Sequence, residues 1–164
     1  MRIHIIRHAQ SEANIKEILG GQLDFPLTEK GKEDAKQIAT WYSSQYKPQI
    51  IYCSPLLRAK QTAAPFRVPN SIPFIEDKRL VEQHLGIFQG KTYTEAEADP
   101  LYEKDRTKRW NWKVPEGESY QEIAKRIESF FSSLDPSQSD CLIVTHAVAM
   151  RMMKAVLENT RPHY

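Results

Sequence analysis

Cysteine, glycine and long hydrophobic runs are all scarce in this chain of 164 residues. It contains two cysteines and six glycines. Its longest apolar runs fall far short of the roughly 18 residues that a membrane-spanning helix needs. Cys53 and Cys141 both lie in apolar segments, where a free cysteine behaves as a small buried hydrophobic residue. The sequence therefore gives no support to a membrane span or to a disulfide.

An excess of one charge sign is also absent. Lys and Arg total 23 against 21 Asp and Glu, which leaves a net charge of +2 and no reason to expect nucleic-acid or membrane partners. The five histidines supply no HExxH spacing, and the cysteines supply no CxxC pair. The N-terminus lacks the features of a signal peptide. We expect a metal-free, cytoplasmic protein with a single domain over residues 1–164.

Short apolar segments that alternate with helical patterns indicate the fold class. Strands are predicted at 3–6, 49–53, 73–76 and 141–145. Helices are predicted from Thr28 to about Ser44, over 56–64 with Ser54 as cap and Pro65 as terminator, from Tyr120 behind the capping box of Ser119 and Glu122, and from Ala147 onward. Their spacing places Ile38 and Leu157 on buried faces. This pattern predicts an α/β fold, a sandwich of three layers around a mostly parallel sheet.

The segment from Thr92 to Trp112 differs from the rest because it is polar and rich in charge and aromatic residues. We predict helical pieces here, with Thr92 or Thr94 as the first cap. Residues 92–113 are interpreted as an excursion over the sheet edge that acts as a lid and lines the substrate side of the site. Trp110 and Trp112 are assigned to packing.

Ionisable residues follow all four predicted strands. Arg7 and His8 end the first, Arg58 lies one helical turn after the second, Glu82 lies in the loop after the third, and His146 ends the fourth. Ligands of parallel sheets bind beyond the carboxyl ends of the strands, so these side chains should meet at one rim. Crowded cations cost energy unless an anion lies between them. A tetrahedral phosphoryl dianion would satisfy the two arginines and the two histidines.

This ordered set of residues resembles the histidine phosphatase superfamily, which has the phosphoglycerate mutase-like fold. The matching segments span nearly the whole chain. They are RH at 7–8 with Ser11 and Asn14, GQLD at 21–24, PLTEKG at 26–31, SPLLRAKQTA at 54–63, LVE at 80–82 with Gly86 and Gly90, PEGES at 115–119 and VTH at 144–146.

The resemblance implies a phosphohistidine mechanism without a cofactor. His8 would attack phosphorus through Nε2, while a backbone carbonyl fixes its other ring nitrogen. Arg7, Arg58 and His146 would hold the equatorial phosphate oxygens. Glu82 would protonate the leaving alcohol and then activate water. The residues assigned to substrate binding are Asn14, Gly21 through its amide, Ser11 and Gln22.

Three functions are weighed for this resemblance. The first is a metal-independent phosphomonoester hydrolase for small phosphorylated metabolites, the second a phosphoglycerate mutase-type transferase, and the third a catalytically silent phospholigand-binding protein. The loop from Glu82 to Gly86 lacks the ERHYG-like sequence of the mutases and favours hydrolysis. A cysteine phosphatase is excluded because Cys53 and Arg58 are five positions apart instead of six. The physiological substrate and the oligomeric state, a homodimer included, stay open.

Two features depart from the family pattern. Ala9 and Ala147 stand where glycine usually follows each histidine, so a methyl group beside the phosphate is either tolerated or weakens the site. Family chains also commonly continue past the last helix into a further strand, whereas this chain stops at Tyr164. Either it is a short member or a C-terminal segment is absent.

Overall fold

A parallel sheet forms the centre of the molecule. The computed structural model describes residues 2–67, 71–135, 137 and 140–160. Its strands are β1 (Ile3–Arg7), β2 (Ile50–Cys53), β3 (Phe74–Glu76) and β4 (Cys141–Thr145). They lie in the order β1-β4-β2-β3, and every neighbouring pair is parallel. The predicted α/β class and parallel sheet are confirmed.

Helices connect the strands. They are α1 (Glu12–Ile15), α2 (Glu29–Gln45), α3 (Leu57–Arg67), α4 (Tyr93–Ala98), α5 (Tyr120–Ser132) and α6 (Ala147–Leu157). Short 3₁₀ helices lie at Lys78–Leu80, Gly86–Phe88 and Arg106–Lys108. Two predicted caps are confirmed, since the hydroxyl of Thr28 accepts from the amide of Gly31 and that of Ser119 accepts from the amide of Glu122. No helix within the described ranges is long and apolar enough to cross a membrane.

The two faces of the sheet are buried against different pairs of helices. Alternate strand residues point to opposite faces. Ile51, Leu142 and Val144 pack with residues of α2 and α3. Tyr52 and Ile143 pack with residues of α5 and α6 on the other face. The three-layer sandwich is therefore confirmed, and it explains why β2 and β4 are apolar at every position except Thr145.

The start and end of α3 differ from the prediction. Pro65 was predicted to end the helix, but the helix continues to Arg67 with Pro65 inside it. Proline lacks only its own backbone N–H, and in the last turn the loss of that one hydrogen bond does not end the helix. The helix begins at Leu57 instead of after Ser54, and Oδ1 of Asp24 accepts from the Leu57 amide at 2.8 Å. Ser54 therefore lies three residues before the helix, and its hydroxyl accepts from the Leu56 amide and also serves the site described below.

Two apolar side chains are more exposed than helical spacing predicts. Ile38 is 40% exposed because the buried stripe of α2 is narrow, with Ala35, Ala39 and Tyr42 facing the core. Leu157 is 55% exposed at the last residue of α6. Periodicity alone does not show how wide the covered face of a helix is.

The excursion over residues 92–113 has a small core of its own. Thr92 caps α4 in a capping box with Glu95, as the prediction of a cap at Thr92 or Thr94 requires. Ala96 and Tyr102 pack with Phe88 and with other apolar residues of the neighbouring loops. Trp110 packs against the core around α5 and α6 and Trp112 against this smaller cluster, which confirms their packing role.

The chain end was predicted to lack the further strand of the family. Residues 161–164 lie outside the described residues. The last described helix, α6, ends at Leu157.

Candidate active site

A cavity of about 210 Å³ lies at the carboxyl ends of the strands. Arg7 and His8 reach it from the end of β1, Arg58 from the first turn of α3, and Glu82 from the loop that follows β3. Asn14 of α1 completes one wall. The structure therefore brings together side chains from four separate parts of the chain, at the rim where the sequence placed them.

His8 is held in one orientation. Its amide donates to the carbonyl of Thr145 at 2.9 Å, which continues the pairing of β1 with β4. Its Nδ1 lies 2.7 Å from the carbonyl oxygen of Ala9, an atom that can only accept, so Nδ1 carries the proton and Nε2 carries the lone pair. This confirms the predicted bond to a backbone carbonyl.

The environment of His8 also keeps the ring neutral. Burial lowers the pKa of His8 to about 4, with further lowering from the charges of Arg58 and Arg7, while the bond to Ala9 acts in the opposite sense. A neutral imidazole with a free Nε2 lone pair is the nucleophilic form of histidine. At neutral pH the residue is in that form.

His146 is the fully buried cap residue at the start of α6, and its ring centroid lies 5.1 Å from that of His8. Its Nε2 lies 2.7 Å from the hydroxyl of Ser54, which also accepts from the Leu56 amide at 3.3 Å. The hydroxyl can accept this amide and still donate its own hydrogen to Nε2, and in that tautomer the ring proton of His146 is on Nδ1.

Nδ1 of His146 is buried and has no hydrogen-bond partner in the described part of the chain. Burial lowers the pKa of His146, and Arg58 lowers it further, so the ring is neutral. A buried N–H without an acceptor costs free energy. An oxygen of a bound anion would supply that acceptor.

Arg58 is 3% exposed, and two backbone carbonyls hold its guanidinium group. One terminal nitrogen donates to Leu23 at 2.8 Å and the other to Gly21 at 2.7 Å. Burial lowers the pKa of Arg58, but a guanidinium stays charged in proteins. Over the described ranges, neither Arg58 nor Arg7 forms an ion pair with a carboxylate. The two cations therefore favour an anion in the cavity.

Glu82 is fixed by the start of α6. Its carboxylate oxygens accept from the amide of Val148 at 3.1 and 3.2 Å, and one of them also accepts from the amide of Ala149 at 3.2 Å. Donors at a helix N-terminus stabilise negative charge. One helix end thus holds both the carboxylate and His146 beside the cavity.

Asn14 and Ser11 form a connected pair. Oδ1 of Asn14 accepts from both the amide and the hydroxyl of Ser11, each at 2.9 Å. The amide NH₂ group of Asn14 is then the part of this side chain that can donate to a ligand. Ser11 lines the cavity but is 1% exposed, and its hydroxyl hydrogen is directed to Asn14. In this arrangement Ser11 orients Asn14.

Gly21 and Gln22 occupy different positions relative to the cavity. Gly21 lines it with a φ of 48°, in the left-handed region that glycine adopts readily. The side-chain amide of Gln22 donates to the carbonyl of Glu82 at 2.9 Å, and its backbone amide donates to Gln89 at 2.8 Å. Gln22 supports the loop that carries Glu82, and its contact with substrate stays a prediction.

The two alanines that replace the usual glycines adopt ordinary backbone conformations. Ala147 is the first residue of α6 and lines the cavity, and alanine is the strongest helix former. Ala9 donates to the hydroxyl of Thr62 at 3.0 Å while its carbonyl holds His8. Neither position has a positive φ that would require glycine.

An ion pair behind the cavity was not foreseen. The carboxylate of Glu118 accepts from Nε of Arg126 at 3.0 Å and from the amide of His84 at 2.9 Å. Arg126 also donates to the carbonyls of Arg79 at 2.6 Å and Glu82 at 3.2 Å. The PEGES segment, recognised in the sequence as a turn and capping box, thus also fixes the loop of the predicted acid.

Further arginines of the cavity were missed as well. Arg106 and Arg109 reach it from the excursion and Arg151 from α6. The sequence carried a signal for Arg151, which lies one helical turn after Ala147 and on the same face. It carried none for the other two, because the path of an irregular segment cannot be read from periodicity.

Comparison with known families bears directly on this arrangement. Residues 3–164 match the model of the histidine phosphatase superfamily, branch 1. The chain belongs to this superfamily. The matched range includes His8, His146 and Glu82, and it also includes Arg7 and Arg58.

Relatives within the superfamily carry several phosphatase names. Over 156 residues the chain is 33% identical to 6-phosphofructo-2-kinase/fructose-2,6-bisphosphatase of Caenorhabditis elegans, an alignment that covers 93% of this chain and 33% of that protein. The chain thus spans about a third of that relative. It is 32% identical over 164 residues to a Hydrogenobacter thermophilus protein provisionally named phosphoserine phosphatase 2, with 95% of this chain and 78% of the relative covered.

A solved structure supports the same fold. The crystal structure of an Escherichia coli protein provisionally named alpha-ribazole-5′-P phosphatase superposes with a TM-score of 0.89 at 25% identity. The superposition covers 99% of this chain and 81% of the other. The phosphoglycerate mutase-like fold expected from the sequence is therefore confirmed.

Proposed function

We propose that this chain is a phosphomonoester hydrolase that forms a phosphohistidine on His8. The observation that carries the proposal is the bond from Nδ1 of His8 to the carbonyl of Ala9, which leaves the Nε2 lone pair available beside the cations Arg7 and Arg58. A neutral nucleophile next to unpaired cations suits attack on a phosphate ester. The phosphatase names among the relatives support the same reaction class.

The first chemical step transfers the phosphoryl group to the protein. The Nε2 lone pair of His8 forms a bond to phosphorus as the bond from phosphorus to the ester oxygen breaks. Glu82, in its protonated form, gives its proton to the departing oxygen, so that the product leaves as an alcohol. The amides of Val148 and Ala149 stabilise the carboxylate that this transfer creates.

The second step restores the nucleophile. Water attacks phosphorus, Glu82 removes a proton from that water, and the electron pair of the phosphorus–nitrogen bond returns to Nε2. Arg7, Arg58 and Nδ1 of His146 would hold the phosphate oxygens in both steps. Since guanidinium groups supply the positive charge in this scheme, we propose that hydrolysis needs no metal ion.

Turnover of p-nitrophenyl phosphate in the presence of EDTA tests this function. We expect the wild-type protein to release p-nitrophenol and His8→Ala to lose that activity, because no other group in the scheme can accept the phosphoryl group. Acid-labile, alkali-stable radiolabel should appear on the wild-type chain after rapid quenching with labelled substrate. Activity retained in His8→Ala, or activity lost to EDTA and restored by one metal, would contradict the proposal.

The role of Glu82 has a separate test based on the leaving group. p-Nitrophenolate departs without protonation, whereas the alkoxide of glycerol phosphate does not. Glu82→Gln should therefore lower kcat/KM for glycerol phosphate by about 10² to 10⁴ and lower that for p-nitrophenyl phosphate much less. Equal losses for both substrates would assign Glu82 a structural role. Tight vanadate binding without turnover of any ester would instead favour the phospholigand-binding alternative.

A further inference from the structure

Thr62 is a buried polar residue of α3 that neither of the two chemical steps uses. Its hydroxyl donates to the carbonyl of Arg58 at 2.7 Å and accepts from the amide of Ala9 at 3.0 Å. A carbonyl oxygen can only accept, so the single hydroxyl hydrogen is directed to Arg58 and a lone pair remains for Ala9. One side chain therefore connects two segments that are 53 positions apart.

The amide of Ala9 lies where the sheet no longer holds the backbone. The pairing of β1 with β4 ends beside His8, whose own amide donates to the carbonyl of Thr145. A backbone N–H that leaves water needs another acceptor, and the hydroxyl of Thr62 supplies it from the neighbouring helix. The backbone of the nucleophile is thus fixed from two sides, by β4 at its own amide and by α3 at the next one.

Ala9 is also the residue that orients the ring of His8. Its carbonyl accepts from Nδ1 of His8 at 2.7 Å. Each residue has only two soft backbone dihedrals, so a bond that fixes the amide of Ala9 limits where its carbonyl can point. A displaced carbonyl would release Nδ1 and let Nε2 leave the line of attack on phosphorus. Thr62 does not itself line the cavity, so it acts on the nucleophile through Ala9.

The second bond of Thr62 links the same arrangement to Arg58. The two residues lie one helical turn apart on α3. A bond from threonine to the carbonyl four residues earlier is common in helices and indicates no function by itself. Thr40 makes such a bond to Lys36 at 3.0 Å on the exposed side of α2. Thr62 differs because its oxygen also accepts from the residue next to the nucleophile.

We propose that Thr62 is a positioning residue for His8. It holds Ala9 so that the carbonyl keeps the ring proton on Nδ1, and it connects this arrangement to the helix that supplies Arg58. The inference rests on the proposed function, because it concerns the alignment of the same nucleophile. Nε2 and the guanidinium group share one support, so the attacking atom and the charge that stabilises the transferred group are aligned together.

Deletion of the hydroxyl tests its effect on the reaction. Thr62→Val nearly keeps the shape of the side chain and removes both bonds. We expect kcat for p-nitrophenyl phosphate to fall by about tenfold, because misalignment acts on the transition state. Thr62→Ser retains the hydroxyl and should recover most of that loss. Thr62→Ala removes the hydroxyl with a smaller side chain, and it takes the place of Thr62→Val if valine prevents folding.

Two inhibitors separate alignment from general damage. Vanadate takes the five-coordinate geometry of a phosphoryl group in transfer and bonds to the nucleophile, whereas inorganic phosphate contacts only the donors around it. Thr62→Val should weaken vanadate inhibition by about tenfold and phosphate inhibition by less than about twofold. Phosphate affinity is kept because Arg58 retains its bonds to the carbonyls of Leu23 and Gly21. Equal weakening of both inhibitors, or a loss in Thr62→Ser as large as in Thr62→Val, would overturn the proposal.

Thr40→Val is the matched control. It makes the same substitution and removes the same kind of local bond, from the hydroxyl of Thr40 to the carbonyl of Lys36. We expect kcat and both inhibition constants to stay at their wild-type values. Changes as large as those in Thr62→Val would show that loss of a helical threonine bond explains the effect without any positioning of His8.

Nitrogen NMR of the histidine rings tests the positioning without turnover. Long-range proton–nitrogen correlations show which ring nitrogen of His8 carries the proton, and His8→Ala assigns the signals. We expect the Nδ1–H form in the wild-type protein and a larger share of the Nε2–H form in Thr62→Val. That change supports the inference even if no phosphate ester is hydrolysed, in which case only the proposed function fails. An unchanged tautomer overturns the inference even if hydrolysis through His8 is established.

Discussion

At the scale of single residues, the sequence shows which groups reach the site but not how their protons are arranged. Arg7, His8 and His146 could be foreseen because each lies at the carboxyl end of a strand, Arg7 as its last residue and the histidines directly after it. The role of Ser54 could not, since serine before proline is a common helix start and predicted a cap. Besides its local bond from the Leu56 amide, its hydroxyl contacts a residue 92 positions away, and no local pattern records such a contact.

Removal of the Ser54 hydroxyl tests the proton arrangement in His146. In Ser54→Ala, Nε2 of His146 loses its partner at 2.7 Å, and the ring can take either tautomer. We expect vanadate inhibition to weaken by about tenfold, because the Nδ1 donor is no longer guaranteed. Inhibition constants for wild type and variant check this expectation.

Two companion variants show whether the effect is specific. Ser54→Thr retains a hydroxyl and should recover most of the vanadate affinity. Ser44→Ala removes a hydroxyl that donates to the carbonyl of Trp41 on the exposed side of α2, and it should leave inhibition unchanged. If Ser54→Ala binds vanadate as tightly as wild type, the hydroxyl does not set the tautomer.

At the scale of elements, regular helices were predictable and the contacts between loops were not. The capping boxes and apolar stripes of α2 and α5 depend on neighbours a few residues apart, so they can be read directly. The bonds of Glu118 and Arg126 connect two segments that are distant in the chain, residues 79–84 and 118–126. They hold the loop of Glu82 against α5. A pattern of neighbouring residues cannot predict contacts between segments so far apart.

Loss of charge at Glu118 tests that connection. In Glu118→Gln, Arg126 keeps its bonds to backbone carbonyls but loses its ion pair, whose side chains are 15% and 23% exposed. We expect the free energy of unfolding to fall by about 2 kcal/mol. The kcat/KM for glycerol phosphate should fall as well, since Glu82 moves with its loop. Urea denaturation and steady-state kinetics measure the two effects.

The ion pair of Lys113 and Glu122 offers the control. Its side chains are 62% and 41% exposed, so solvent screens the interaction. Lys113→Gln should cost less than about 1 kcal/mol and leave the kinetics unchanged. Similar costs for Lys113→Gln and Glu118→Gln would show that the Glu118 pair has no special structural role.

At the scale of the whole molecule, the layers were predictable and the strand order was not. Apolar strands covered on both faces indicate a parallel sheet with helices on each side. β2 and β4 are the most continuously apolar strands, but their patterns do not give the order in which the four strands lie. The observed order places β4 between β1 and β2. This order brings His146 beside His8.

Burial of neutral histidine makes the stability of the molecule depend on pH. The pKa of His8 falls from its ordinary 6.5 to about 4 in the folded protein, so the unfolded chain takes up this proton first as the pH decreases. Stability from this group is complete above the ordinary value and is lost as the pH falls toward about 4. Burial lowers the pKa of His146 too, which acts in the same direction.

Denaturation at two pH values measures the effect. Between neutral pH and about pH 4.5, the wild-type free energy of unfolding should decrease by about 2 kcal/mol more than that of His8→Gln. The comparison removes contributions that the two proteins share. Identical pH dependence in both would mean that His8 is protonated as readily in the folded protein as in the unfolded chain.

The central place of β4 also determines when the active site can form. β1 and β2 do not pair with each other, and each instead pairs with a strand that follows β2 by almost ninety positions in the printed sequence. Contacts between such distant segments form late, because a long loop must close before they stabilise anything. During synthesis, His8, Arg7 and Arg58 emerge long before the strand that aligns them. We therefore expect the candidate site to assemble late, once β4 has inserted between β1 and β2.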